Sequence, residues 1–159
     1  MDKFTVYVDI LADGLIKKIT VLEKILAIDE EQHMLVNATK VDEDAFDKTN
    51  VDKAELIKEL ERLDDGFSTV YDRIKDTFVE RKNEVSDKIA QMKENISIIT
   101  ELSVKLQAQE QRTKAAVQSY FSTVKTDIKK VKTGSGVAAS YYKTMNSKAD
   151  TSYFMDAKK

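Results

Sequence analysis

The chain has 159 residues, with 26 Lys and Arg against 28 Asp and Glu, no Cys, no Pro and only four Gly. The lack of Cys excludes disulfides and thiolate metal sites, and the scarcity of turn residues excludes a sandwich or barrel. What remains is an all-α chain with a modest core, one domain or one domain with a tail.

Charge is unevenly spread. Residues 1–80 carry 11 basic and 20 acidic side chains, a net −9, and residues 81–159 carry 15 and 8, a net +7. This split fits either an acidic half packed antiparallel on a basic half or a basic carboxy-terminal arm that takes an acidic partner.

The first predicted helix covers residues 4–36. Val8, Ala12, Leu15, Ile19, Leu22, Leu26, Asp29, His33 and Val36 recur at four-three spacing, and Leu11, Ile25 and Ile28 widen the stripe as a bundle helix requires. Phe4-Thr5-Val6-Tyr7-Val8 alternates like a strand but has no second strand to pair with, so it joins the helix. Gly14 costs about 1 kcal/mol in a helix interior and marks a place for close helix approach. His33, the only histidine, stands at the polar end of the seam and reads as a solvated packing residue.

Residues 37–51 read as a connection: Asn37-Ala38-Thr39-Lys40 breaks the pattern, Asp42 caps at most one short turn through Phe46, and Thr49-Asn50 breaks it again. Asp42-Glu43-Asp44 is no calcium loop, because Asp47 stands where Gly is needed and Lys53 where a bidentate Glu is needed. The second helix, about 52–80, opens on Asp52 with Glu55 three residues on. Leu56, Leu60, Leu63, Phe67, Val70 and Ile74 form its stripe, with Ile57, Tyr71 and Phe78 beside them. Between Ile74 and Val85 the phase slips by one residue, through either a stutter or a tight turn. A turn is favoured, because a continuous helix would leave the first helix alone to cover both seams.

The third helix, about 85–132, has the longest seam. Val85, Ile89, Met92, Ile96, Ile99, Ser103, Leu106, Glu110, Thr113, Val117, Tyr120 and Val124 keep the heptad, and nine of these twelve are apolar. Such a helix would be roughly 70 Å long. Ser103, Glu110 and Thr113 form a polar belt at which packing is expected to loosen. Gly134 and Gly136 stop the helix. Beyond them lies a tail, residues 133–159, with a short amphipathic helix expected over 137–146 and with Tyr153, Phe154 and Met155 near its end.

No constellation for catalysis appears, and no cofactor is expected. The chain has one His, no Cys and no phosphate-cradling glycine loop, and Glu55, Glu59, Asp64, Asp65, Asp72 and Asp76 lie at helical spacing on faces that read as solvated. There are no Glu-x-x-His pairs for a di-iron site. Lys125, Lys129, Lys130, Lys132 and Lys143 are spread without Arg clustering, so no nucleic-acid partner is expected. The apolar runs fall short of the ~20 residues that span a bilayer, and Met1-Asp2-Lys3 does not open a signal peptide. The expectation is a cytoplasmic protein without stable membrane insertion.

Three stretches together carry a family resemblance. They are Leu15-Ile16-Lys17-Lys18-Ile19 with Leu22-Glu23-Lys24-Ile25-Leu26 and Glu31-Gln32; residues 53–74, with Leu63-Asp64-Asp65-Gly66-Phe67 and Val70-Tyr71-Asp72-Arg73-Ile74; and Leu106-Gln107-Ala108-Gln109-Glu110-Gln111-Arg112 with Tyr120-Phe121 and Tyr141-Tyr142. The chain thereby resembles flagellar export chaperones of the FlgN type, as found in Gram-positive clostridial relatives, with Thr113 where that pattern has Asn. The predicted helices make an elongated antiparallel three-helix bundle or coiled coil, and the resemblance implies a cytoplasmic helical chaperone. It also implies a role in binding hook–filament junction (hook-associated) proteins through their carboxy-terminal segments and delivering them to the flagellar type III export apparatus. In such chaperones the end of the last long helix, together with the segment after it, holds the client. Here those residues are Val117, Tyr120, Phe121, Val124, Ile128, Val131, Tyr141, Tyr142 and Met145.

The residues meet that expectation where Tyr120 and Phe121 widen the apolar surface past what one narrow seam needs. The alternatives for the same stripe are burial by the tail, homodimerisation, or a structural coiled-coil spacer or self-assembling subunit with no client.

Overall fold

A computed structural model describes residues 2–124. The described chain is three long helices with no strand: α1 (Lys3–Val36), α2 (Glu43–Arg81) and α3 (Ser86–Val124). Asp2 starts α1 by accepting the Phe4 N–H at 3.1 Å. Asn37 ends it, its backbone N–H bonding the His33 carbonyl. Asp42 caps α2 through the Ala45 N–H at 3.0 Å, and Glu43 and Asp44 in the first turn complement the positive end of the helix dipole.

The second helix therefore begins at Glu43, nine residues before the expected start near Asp52. Thr49 and Asn50 do not interrupt it, because their side-chain oxygens find partners without leaving helical geometry. The Thr49 hydroxyl donates to the Phe46 carbonyl at 2.5 Å, and Gln32 of α1 donates to Thr49 Oγ1 at 3.1 Å and Asn50 Oδ1 at 2.8 Å. The end of α2 fits the expectation: one turn of 3-10 helix, Lys82–Val85, reverses the chain where the heptad phase slips.

Pairs between the helices set their directions. Asp2 lies beside Arg81 and Asp29 beside Lys53, so α1 and α2 are antiparallel; Asp9 lies beside Lys88 and Val36 clusters with Val117, so α1 and α3 are parallel. α1 packs along both other helices, which approach one another less closely than either approaches α1. Hence α1 carries a broad stripe, from Phe4, Val8, Leu11 and Leu15 through Leu22 and Ile25 to Val36. Gly14 is not a point of close approach: a Cβ there would meet nothing within 4 Å.

The main core joins this stripe to Ile57, Leu60, Tyr71, Ile74 and Phe78 of α2 and Met92, Ile96, Ile99 and Leu106 of α3. Phe67 and Leu63 are half-buried against it. At the turn end, Arg81 closes the bundle. Its guanidinium lies 4.7 Å from the Phe4 ring centroid, bonds Asp2, and grips Glu84 through two contacts of 2.9 Å. These bonds hold the Glu84 and Asp2 carboxyls below their ordinary range.

Polar side chains occupy core positions on all three helices. Lys18 and Asp64 pair at 2.5 Å with both side chains buried, so Asp64 is not on a solvated face as its helical spacing suggests. The belt of Ser103, Glu110 and Thr113 is also fully buried, and the expected loosening is absent. Ser103 turns its hydroxyl back to the Ile99 carbonyl at 2.7 Å, and Glu110 receives Lys53 of α2.

Candidate interaction site

The bundle end opposite the turn is built from the last residues of α1, the connection, the first turns of α2 and the end of α3. Val36, Phe46, Val117 and Phe121 form a small second core there, with Leu35, Ala116 and Tyr120 packed on it. Tyr120 and Phe121 meet edge to face, centroids 5.1 Å apart. Val36, Val41, Phe46, Val117, Tyr120 and Phe121 line an open groove, with Glu43 and Asp47 on its rim. The Tyr120 phenol lies near Glu43; burial raises its pKa above the ordinary tyrosine value, and the carboxylate adds to that shift.

The residues expected to form a client surface are thus divided. Val117 and Phe121 are buried, 3% and 8% exposed, and do not form an uncovered stripe. They are covered because α2 begins at Glu43, which places Phe46 against them. Tyr120 is half-buried on the groove wall, and Val124 is the last described residue of α3. Ile128, Val131, Tyr141, Tyr142 and Met145, with the stop at Gly134 and Gly136 and the tail helix, lie outside the described residues.

Val41, Phe46, Glu43 and Asp47 do not stand out as site residues in the sequence. One signal for Phe46 is present there: Phe46, Thr49, Lys53, Ile57 and Leu60 are spaced by three or four residues, so the seam of α2 already runs back to residue 46 once its polar members are accepted.

Between the two cores lies a polar layer to which every helix contributes. Lys53 Nζ, 1% exposed with its side chain, donates to Asp29 Oδ1 at 3.1 Å, Gln32 Oε1 at 2.8 Å and Glu110 Oε1 at 2.7 Å. These three bonds use all the hydrogens of the ammonium. Burial pushes the Asp29 carboxyl up to about 8; the neighbouring Glu110 carboxyl acts in the same direction, and Lys53 opposes both. His33, one turn beyond Asp29, is half-buried rather than solvated, with Nδ1 enclosed.

The described residues thus define an antiparallel helical bundle with one groove-bearing end. No described helix is long and apolar enough to cross a membrane. No protein-family model, curated protein or solved structure matches the chain.

Proposed function

We propose that the protein is a cytoplasmic export chaperone of the FlgN type that holds the carboxy-terminal segments of flagellar hook-associated proteins and hands them to the type III export apparatus. The observation that carries this reading is the groove at the end of α3. It has an apolar floor of Val36, Phe46, Val117 and Phe121 and an aromatic wall at Tyr120, and it lies where the chain runs on toward Ile128 and Val131. A client helix would lay its apolar residues along such a floor and its basic residues against Glu43 and Asp47. The resemblance in residues 15–32, 53–74 and 106–121 supports the same reading.

The test changes two half-buried lining residues and leaves the floor intact. Val41→Asp with Tyr120→Asp in the full chain should keep the helical signal and thermal midpoint nearly unchanged. It should also weaken calorimetric binding of a hook-associated protein's carboxy-terminal segment by at least tenfold. Undiminished binding, or no binding by the unaltered chain, would remove the proposal. A spacer or self-assembling subunit without a client draws on another observation, that Val117 and Phe121 are already covered by the chain's own helices. It requires association of copies in sedimentation and no client binding.

A further inference from the structure

The polar layer contains one cation and two carboxylates, all essentially without solvent contact: Lys53 at 1% side-chain exposure, Asp29 at 0% and Glu110 at 1%. If both carboxylates were ionised the layer would hold a net negative charge in a low-dielectric interior, which strongly favours neutralisation by proton uptake. The hydrogen bonding gives the same result. Lys53 satisfies one oxygen of each carboxylate, and the second oxygens, Asp29 Oδ2 and Glu110 Oε2, are buried without a donor among the described residues. Both carboxyls bond the same ammonium and are therefore neighbours, so a proton on Asp29 turns one of these oxygens into a donor and leaves a neutral set of Lys53 ammonium, Glu110 carboxylate and Asp29 acid.

We propose that Asp29 keeps a proton in the folded protein and that its loss unlatches the groove-bearing end of the bundle, making the opening of that end pH-dependent. The position of the layer gives the proton this effect. On one side is the large core; on the other, among the described residues, are four buried apolar side chains, Val36, Phe46, Val117 and Phe121, a small cluster set against charge repulsion within the layer that ties it to the rest. The titratable or charged groups that face Asp29 are Lys53 from α2 and Glu110 from α3, with His33 one turn further along α1 itself; Gln32 and Thr113 are the neutral members.

The sign depends on which form holds the proton. The closed end binds a proton that the opened end, with Asp29 in water, releases. Raising the pH from the ordinary carboxylate range to about 8 therefore favours opening, by up to tenfold per pH unit, and the rise stops once Asp29 is ionised in the closed form too. The device rests on the described residues and is independent of the client reading, so a failure of client binding leaves it standing.

Carbon-13 carboxyl titration of the full chain tests it first, without any substitution. Asp29 should titrate near 8, far above the ordinary carboxylate range. Hydrogen exchange over a pH range that brackets this value, corrected for the intrinsic rate, tests the second half. The opening constant for amides near Phe46 and Val117 should rise several-fold per pH unit and level off near 8, while amides near Leu60 and Ile96 stay protected. Asp29→Asn should abolish that rise, and His33→Gln should keep it. Titration of Asp29 in the ordinary range, an equal pH response on both sides of the layer, or an unchanged slope in Asp29→Asn would each overturn the proposal.

Discussion

The two ends of this bundle are closed by different means. At the turn end, α2 and α3 are joined by the short turn Lys82–Val85, Arg81 of α2 ties α1 to that turn through Asp2, Phe4 and Glu84, and a deep core of large side chains lies directly below. At the other end no tight turn joins α2 to α3, the connection from α1 to α2 borders a groove, and among the described residues four buried apolar side chains do the work that seventeen do elsewhere. The same heptad rhythm runs through both. Helical periodicity therefore selects which residues face inward, whereas the security of an end depends on how its helices are joined and on what separates it from the main core.

The largest effect should come from removing the cation between the two ends. Lys53→Met leaves Asp29 and Glu110 buried without their partner and should cost about 3–5 kcal/mol in urea unfolding. Adding Asp29→Leu and Glu110→Leu should recover most of that loss, since well-packed apolar residues replace a buried ion set with little or no net cost. A single variant as stable as the unaltered chain would mean that the layer contributes nothing.

A matched pair compares the cores directly. Phe78→Ala, in the large core, should lower stability by about 3–5 kcal/mol. Phe46→Ala, in the small one, should cost nearer ~2 kcal/mol, because the end can collapse or open around the missing ring. Equal costs would show that the two cores unfold as one. The smallest effect is a gain. Gly14→Ala and Gly66→Ala each place a methyl where nothing lies within 4 Å and should raise stability by about 0.5–1 kcal/mol, read as a higher urea midpoint.

Much of the fold is legible in the amino-acid order. The seam of α3 from Met92 to Val117 is buried at the heptad positions, because in a helix without Pro or Gly the side-chain direction follows from sequence spacing alone. In α1 and α2 the expected seams lie in places one residue off. The buried rows include Lys18, Gln32, Thr49, Lys53 and Asp64, and a seam traced through apolar residues passes over them. For the same reason the pattern starts α2 too late and leaves Val117 and Phe121 uncovered. The site is therefore only half legible: Tyr120 and Phe121 mark its place, but not the residues that α1 and α2 bring to it.

Three helices, the stop at Asn37, the reversal after Arg81 and the seam of the third helix all follow from the order of residues alone. These are local properties, set by propensity, capping and spacing within a few turns. The place of Lys53 in the interior is a tertiary matter. Its partners Asp29 and Glu110 are 24 and 57 residues away, and a lysine is stable there only because two other helices deliver a carboxylate, each to the same point. Periodicity places each of the three residues on its own helix face and carries no information about which faces meet, or at what height; that meeting divides the core and sets the groove-bearing end apart.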